Sequence, residues 1–142
     1  MNLYTHKVHY YETDKMGITH HSNYIRWMEE ARIFYLEQIG CGYDKLEQLG
    51  VISPVINVTF NYKKSTTFND SIQIDLKFLK YNGIKFTFAY ILKNEKSGEV
   101  IGEGETNHCF LNEEYKPLIM KRKFPQIDEL LNKFSDKLLS EI

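Results

Sequence analysis

The sequence predicts an α+β fold in which an antiparallel sheet wraps a long, largely buried helix. Two observations carry this. Three stretches in the middle of the chain alternate apolar and polar residues, and one earlier stretch repeats its apolar residues at helical spacing. A third observation narrows the packing. Two glycines share one face of a further strand, Gly102 and Gly104, which weakens a strand unless another element approaches closely there. The long helix is the element expected against them.

Taken in order, residues 3–11 are rich in Tyr, Thr, Val and His and read as a strand. Residues 12–21 read as a loop with Gly17 as a turn residue. Residues 22–39 read as a helix, with Ser22 as N-cap and Tyr24, Trp27, Met28, Ala31, Phe34, Tyr35 and Ile39 on its apolar face. Arg26, Glu29, Glu30, Arg32 and Glu37 are placed on the polar face. Ile25, Ile33 and Leu36 extend apolar character around the helix, which suits an element buried on much of its surface. Gly40 and Gly42 end it. A short helix is expected at 43–49, stopped by Gly50.

Pro54 opens a strand in which Ile56, Val58, Phe60 and Tyr62 share one face. Ile72, Ile74, Leu76 and Phe78 mark the next strand. Asn82-Gly83 makes a tight turn into Ile84, Phe86, Phe88, Tyr90 and Leu92. Residues 99–111 form the last strand. Lys116-Pro117 is a turn, and Pro125 suits the first turn of a final helix over about 125–141.

The chain of 142 residues suits one domain, with a net charge of −1 that argues against nucleic acid as the main partner. No apolar run is long enough to span a membrane, and no secretory signal pattern opens the chain. Cys41 and Cys109 stand far apart, which suits reduced thiols and a cytoplasmic location. Glycine-rich phosphate loops, a dinucleotide fingerprint and the G-x-S-x-G serine elbow do not occur.

The chemistry concentrates between Tyr11 and Tyr24. A carboxylate, Asp14, stands three residues before Gly17, and His20 and His21 precede the helix. Helix N-terminal amides are unpaired and carry partial positive charge. Such groups can hold a carbonyl oxygen as charge develops on it, while the acid attacks or activates water. The set suits acyl-group hydrolysis. A metal is not expected: adjacent histidines cannot easily share one ion, and His6, His9 and His108 show no ligand spacing.

The same stretch carries a family pattern. Tyr10 or Tyr11, Thr13, Asp14, Gly17, Ile18, His21, Asn23 and Tyr24, followed by Glu29, Ala31 and Arg32, fit Y-x-x-T-D-x-x-G-(I/V)-x-x-H-x-N-Y and E-x-A-R. This resembles the 4-hydroxybenzoyl-CoA thioesterase and YbgC-type acyl-CoA thioesterases of the hotdog fold. The resemblance covers roughly residues 3–125 and implies a five-stranded antiparallel sheet around a central helix. It implies an acyl-CoA thioesterase without metal or dissociable cofactor, coenzyme A being part of the substrate. It places Asp14 at the catalytic acid position, as nucleophile or general base. It makes the His21 N–H the carbonyl-polarising donor, with the imidazole orienting water or the acyl group.

Asn23 is expected to brace the loop, Tyr24 to pack, Gly17 and Ile18 to wall the pocket, and Glu29 to pair with a loop or strand group. Lys64 and Lys85 are candidates for the coenzyme A phosphates. Ser65 and Thr66 replace a Pro-Ala of the family pattern, and Lys85 stands where a serine is frequent. The resemblance further implies a homodimer through residues 55–62, or a homotetramer, with the pocket between subunits. An acyl-carrier-protein thioesterase, with the basic run Lys116 to Lys123 as its footprint, is the alternative. A non-catalytic acyl-CoA sensor is the third reading.

Overall fold

The computed structural model describes residues 3–135. The elements are β1 (Tyr4–Lys7), a 3-10 turn (Tyr10–Glu12), α1 (Ser22–Gln38), α2 (Tyr43–Gln48), β2 (Val55–Tyr62), β3 (Ser71–Tyr81), β4 (Lys85–Asn94), β5 (Val100–Cys109), α3 (Met120–Lys123) and α4 (Pro125–Phe134). The five strands form one sheet in the order β1-β3-β4-β5-β2. Every pairing is antiparallel.

The apolar residues of β3 and β4, Ile72, Ile74, Phe78, Phe86, Phe88 and Leu92, are buried with Trp27, Met28, Ala31 and Tyr35 of α1 in one core. Burial of such side chains is the main favourable term in the fold, at about 25 cal/mol per Å² of apolar surface. Of the two β5 glycines, Gly104 lets the helix in, while Gly102 makes room for the Phe60 ring of β2. A Cβ on Gly104 would stand 2.5 Å from Met28 Sδ and 3.0 Å from the Thr59 carbonyl oxygen. The close approach of the helix expected from the sequence is therefore real at Gly104, whereas at Gly102 the neighbour is β2.

Several elements differ from the sequence reading. The first strand is half the expected length, because His9 N–H turns to the Glu12 carboxylate and the chain enters the 3-10 turn. Ser22 is the first helical residue rather than the N-cap; its hydroxyl pairs with His20 Nδ1 at 2.9 Å, and His21 takes the cap position in αR backbone. Arg32 is buried, not on a solvated face. Ile25 is exposed while Leu36 is buried, so the helix keeps one open stripe. The short α3 was not expected. The final helix is described to Phe134, and residues 136–141 of its expected range lie outside the described residues.

Strand β2 lies at the sheet edge, with Val55, Ile56 and Tyr62 about half exposed. Its inner residues Val58 and Phe60 pack on the core. Among the described residues no helix is long and apolar enough to cross a membrane.

Candidate active site

The loop from Thr13 to His21 is closed on itself and tied at both ends. Thr13 and Thr19 form an isolated antiparallel bridge, and Asp14 N–H donates to the Ile18 carbonyl at 2.9 Å. Gly17 turns the chain with a φ of 79°, a backbone conformation that glycine adopts without a side-chain penalty. The Asp14 carboxylate accepts from Met16 N–H at 2.8 Å through Oδ1 and is half-buried. Its Oδ2 has no hydrogen-bond partner among the described residues, which leaves an acceptor for water or an electrophile.

At the other end of the loop, His21 N–H has no partner among the described residues, while the next two amides are spoken for. Ser22 N–H reaches His20 Nδ1 at 3.3 Å and Asn23 N–H reaches the His20 carbonyl at 3.0 Å. The free donor therefore sits at the N-terminus of α1, where the helix adds partial positive charge. The His21 imidazole is exposed and packs on His20 and edge-on to Tyr62. Tyr62 OH donates to the His21 carbonyl at 3.1 Å.

Asn23 braces the loop as expected, donating from Nδ2 to the carbonyls of Glu12 (3.0 Å) and His20 (3.2 Å). Tyr24 is buried and its hydroxyl pairs with Thr66 Oγ1 at 3.0 Å. Ile18, His21, Tyr24, Tyr62, Lys63 and Lys64 face a cleft of about 300 Å³, joined there by Thr19 and Ser65. Lys64 reaches this cleft but is held by Glu99 at 3.0 Å. Lys85 is not brought here. It begins β4 beside the Asn82-Gly83 turn, at the opposite end of the sheet from the loop, and lines a separate cavity with Lys80 and Ile56.

Three residues that hold the site escaped the sequence reading. Glu12 is buried beneath the loop: Oε1 accepts from His9 N–H at 2.8 Å and meets His6 Nε2 at 2.8 Å, while Oε2 accepts from Trp27 Nε1 at 2.7 Å. Burial pushes its carboxyl up, but the His9 amide, His6 and Trp27 outweigh that and hold it below the usual carboxylate range. Thr66 is buried and pairs with Thr19 Oγ1 at 2.6 Å, while its carbonyl accepts Thr19 N–H at 2.8 Å. Glu30, not Glu29, makes the helix-to-strand contact: it accepts Tyr4 OH at 2.6 Å and lies 3.4 Å from His6 Nδ1. Glu29 is exposed, and its carboxylate has no hydrogen bond or ion pair among the described residues. The expected absence of ligand spacing at His6 and His9 also changes in three dimensions. The 3-10 turn folds Glu12 back beside both, and donor atoms of the three lie within 4.8 Å of one another.

A sheet wrapped on one helix, with an acid loop leading into a free helix amide, defines a hotdog-fold hydrolase. The DHNA-CoA thioesterase of Staphylococcus aureus superposes with a TM-score of 0.87 at 35% identity, covering 92% of this chain and 88% of that one. Putative acyl-CoA thioesterase YneP of Bacillus subtilis is 34% identical over 120 residues, 84% of this chain and 86% of that protein. A 1,4-dihydroxy-2-naphthoyl-CoA hydrolase of Prochlorococcus marinus is 29% identical over 113 residues, 74% of this chain and 72% of that protein. The profile of the family described as thioesterase-like superfamily matches residues 8–134. The chain belongs to the thioesterase-like superfamily and is a thioester hydrolase.

Proposed function

We propose that the protein is an acyl-CoA thioesterase that releases a carboxylic acid and free coenzyme A, with Asp14 as nucleophile or general base. The observation that carries this reading is one closed loop that holds an acid with an unused Oδ2 near its start and an unpartnered His21 N–H, at a helix N-terminus, at its end. The amide polarises the thioester carbonyl and takes up charge on its oxygen, a contribution worth about 3 kcal/mol for one such donor. Asp14 attacks the carbonyl carbon or takes a proton from the attacking water. The exposed His21 ring orients water or the acyl group, and Gly17 and Ile18 shape the loop wall. Asn23 and Tyr24 hold the loop on α1. Lys64 and Lys85 meet coenzyme A phosphates, Lys85 from a second subunit.

The second subunit pairs through β2. An edge strand with half-exposed Val55, Ile56 and Tyr62 is a template for another strand. Antiparallel pairing about a two-fold axis brings the start of one β2 to the end of the other, and so to the cleft beside Tyr62. The acyl groups named for the relatives from S. aureus and P. marinus make 1,4-dihydroxy-2-naphthoyl-CoA the first substrate to try.

The test is thiol release from aliphatic and aryl acyl-CoAs by the native protein and Asp14→Asn. Asparagine keeps the Oδ1 acceptor for Met16 N–H, so the loop stays closed while acid chemistry is lost. A fall of at least about a hundredfold in kcat with unchanged melting supports the assignment. Equal rates in the two proteins overturn it. Acyl-carrier-protein substrates belong in the same panel, because Lys121, Arg122 and Lys123 are exposed together on α3. A strong preference for them moves the reading to that partner.

A further inference from the structure

His6, His9 and Glu12 recur at intervals of three residues, and the strand-to-turn transition puts all three on one side of the chain. We propose that they form a binding site for a divalent cation of the zinc class, seated between β1, the 3-10 turn and α1. Two imidazoles and a carboxylate are the donor set that suits zinc, whereas calcium and magnesium prefer all-oxygen cages. Donor atoms of the three residues already lie within 4.8 Å of one another. Donors on one zinc stand about 3–3.5 Å apart, given zinc–ligand distances near 2.0–2.1 Å. His9 is exposed and closes the remaining gap by rotating its side chain, since its backbone is fixed by the bond to Glu12.

The second observation is the order of the surrounding groups. His6 turns Nε2 to Glu12 and Nδ1 to Glu30, whose Oε2 is 3.4 Å away and accepts Tyr4 OH. A carboxylate on the far nitrogen of a histidine is the arrangement that orients metal-binding imidazoles. Glu12 is oriented in the same way, by Trp27 Nε1 on the oxygen that faces away from His6. In the absence of a cation, a hydrogen joins His6 Nε2 and Glu12 Oε1. When the cation enters, the imidazole proton moves to Nδ1 beside Glu30, and the Nε2 lone pair and Glu12 Oε1 become ligands. His9 supplies the third ligand and water the fourth. The Glu12 carbonyl accepts His20 N–H and Asn23 Nδ2, so the bound ion clasps the base of the acid loop. Its role is to stiffen that base, and no step of hydrolysis passes through it.

Trp27 is the single tryptophan, and its ring lies 4.5 Å from the His6 ring, which supplies the readout. The experiment titrates Zn²⁺ into chelator-treated protein while following Trp27 fluorescence, melting temperature and stoichiometry, with Ca²⁺ as control. The expected result is one Zn²⁺ per chain below about 10 µM, a higher melting temperature, and no response to Ca²⁺. His9→Ala, an exposed substitution, should fold as the native protein does and lose at least tenfold in Zn²⁺ affinity. Glu30→Gln should lose about tenfold through the orienting contact. No saturable 1:1 binding overturns the proposal. So does binding unchanged in His9→Ala, or binding that disappears in a His20→Ala/His21→Ala variant instead.

Discussion

Trp27 Nε1 donates to Glu12 Oε2 over 2.7 Å, and both side chains are buried. This contact joins the second turn of α1 to the turn that launches the acid loop, two residues before Asp14. The remaining acceptor positions of Glu12 hold His9 N–H and His6 Nε2, so three segments converge on one carboxylate. Charged hydrogen bonds of this kind are worth about twice a neutral one.

Replacing Glu12 with Gln should therefore cost about 2–4 kcal/mol, because an amide must turn a donor toward groups that also donate. The pH dependence follows from the direction of the shift. The folded Glu12 carboxyl titrates below its ordinary value. Its contribution is thus present above the unfolded carboxyl range and lost as pH falls through the folded value. Urea unfolding followed by Trp27 fluorescence between pH 7 and pH 3 measures both effects. A Glu12→Gln protein with native stability and a native acid limb would remove Glu12 from this role.

Gly104→Ala tests the approach of α1 to the sheet. The added Cβ would meet Met28 Sδ at 2.5 Å, a Phe60 ring carbon at 2.9 Å and the Thr59 carbonyl oxygen at 3.0 Å. Methionine and phenylalanine can shift, but the backbone oxygen of β2 is fixed by strand pairing. Overpacking of this sort costs about 1–3 kcal/mol. Chemical denaturation of Gly104→Ala, alone and with Met28→Ala, checks it. Partial recovery in the double variant is expected, and no loss in the single variant would show that the sheet yields.

Local pattern accounts for what was legible in the sequence. Alternation from Ile56 to Leu92 announced three strands, and Gly104 of the glycine pair announced the helix above it. Asn23 was legible because its partners are a few residues away. Arg32 was not. Its place on the helical wheel suggested solvent, yet its Nε donates to Tyr43 OH and its Nη1 to Tyr90 OH, 11 and 58 residues distant. Phenolic acceptors that far along the chain leave no mark on a helical pattern. Glu12 and Thr66 were missed for the same reason, since their partners come from β1, α1 and the loop at once. The choice of Glu29 over Glu30 failed on a finer point. Neighbouring helix residues point about 100° apart, and only packing against Tyr4 and His6 selects between them.

His108 should impose a second pH dependence, away from the loop. It is fully buried, stacked on Phe86, with Nε2 on Thr106 Oγ1 at 2.8 Å. Burial, then the nearby Arg32 charge, pushes its pKa down to about 3. The folded ring is therefore neutral where an unfolded histidine, with a value of about 6.5, takes a proton. Between those values the unfolded chain binds more protons, so stability falls as pH drops from about 6.5 toward 3. The slope approaches 1.4 kcal/mol per pH unit for one proton. Between pH 6.5 and pH 5 the native protein should lose about 1.6 kcal/mol that His108→Gln does not lose. Parallel pH profiles for the two proteins would contradict it.

The last prediction concerns Thr66, which stands where the family pattern has an alanine. Its hydroxyl bridges Thr19 Oγ1 at 2.6 Å and Tyr24 OH at 3.0 Å, and all three side chains are buried. The acid loop is thereby fastened to α1 and to the segment after β2 by hydroxyls rather than by a proline turn. Thr66→Val keeps the shape and removes the bridge, leaving the buried Tyr24 hydroxyl short of a partner, while Thr19 Oγ1 keeps the Thr66 carbonyl at 3.2 Å. The cost is about 1–3 kcal/mol in stability. The effect on turnover should be larger than stability alone explains, because Asp14 and the His21 amide are placed by the two ends of this loop. Misplacement by an ångström can cost about a hundredfold in rate. Thr66→Val should therefore lose about tenfold or more in kcat at a temperature where the variant is fully folded, with KM little changed. Thr66→Ser, which retains the hydroxyl, should recover most of that rate. Loss of kcat in both variants alike would show that the hydroxyl is not what sets the rate, and native kcat in Thr66→Val would show that the bonds from Thr19 N–H and Oγ1 to the Thr66 carbonyl hold the loop without it.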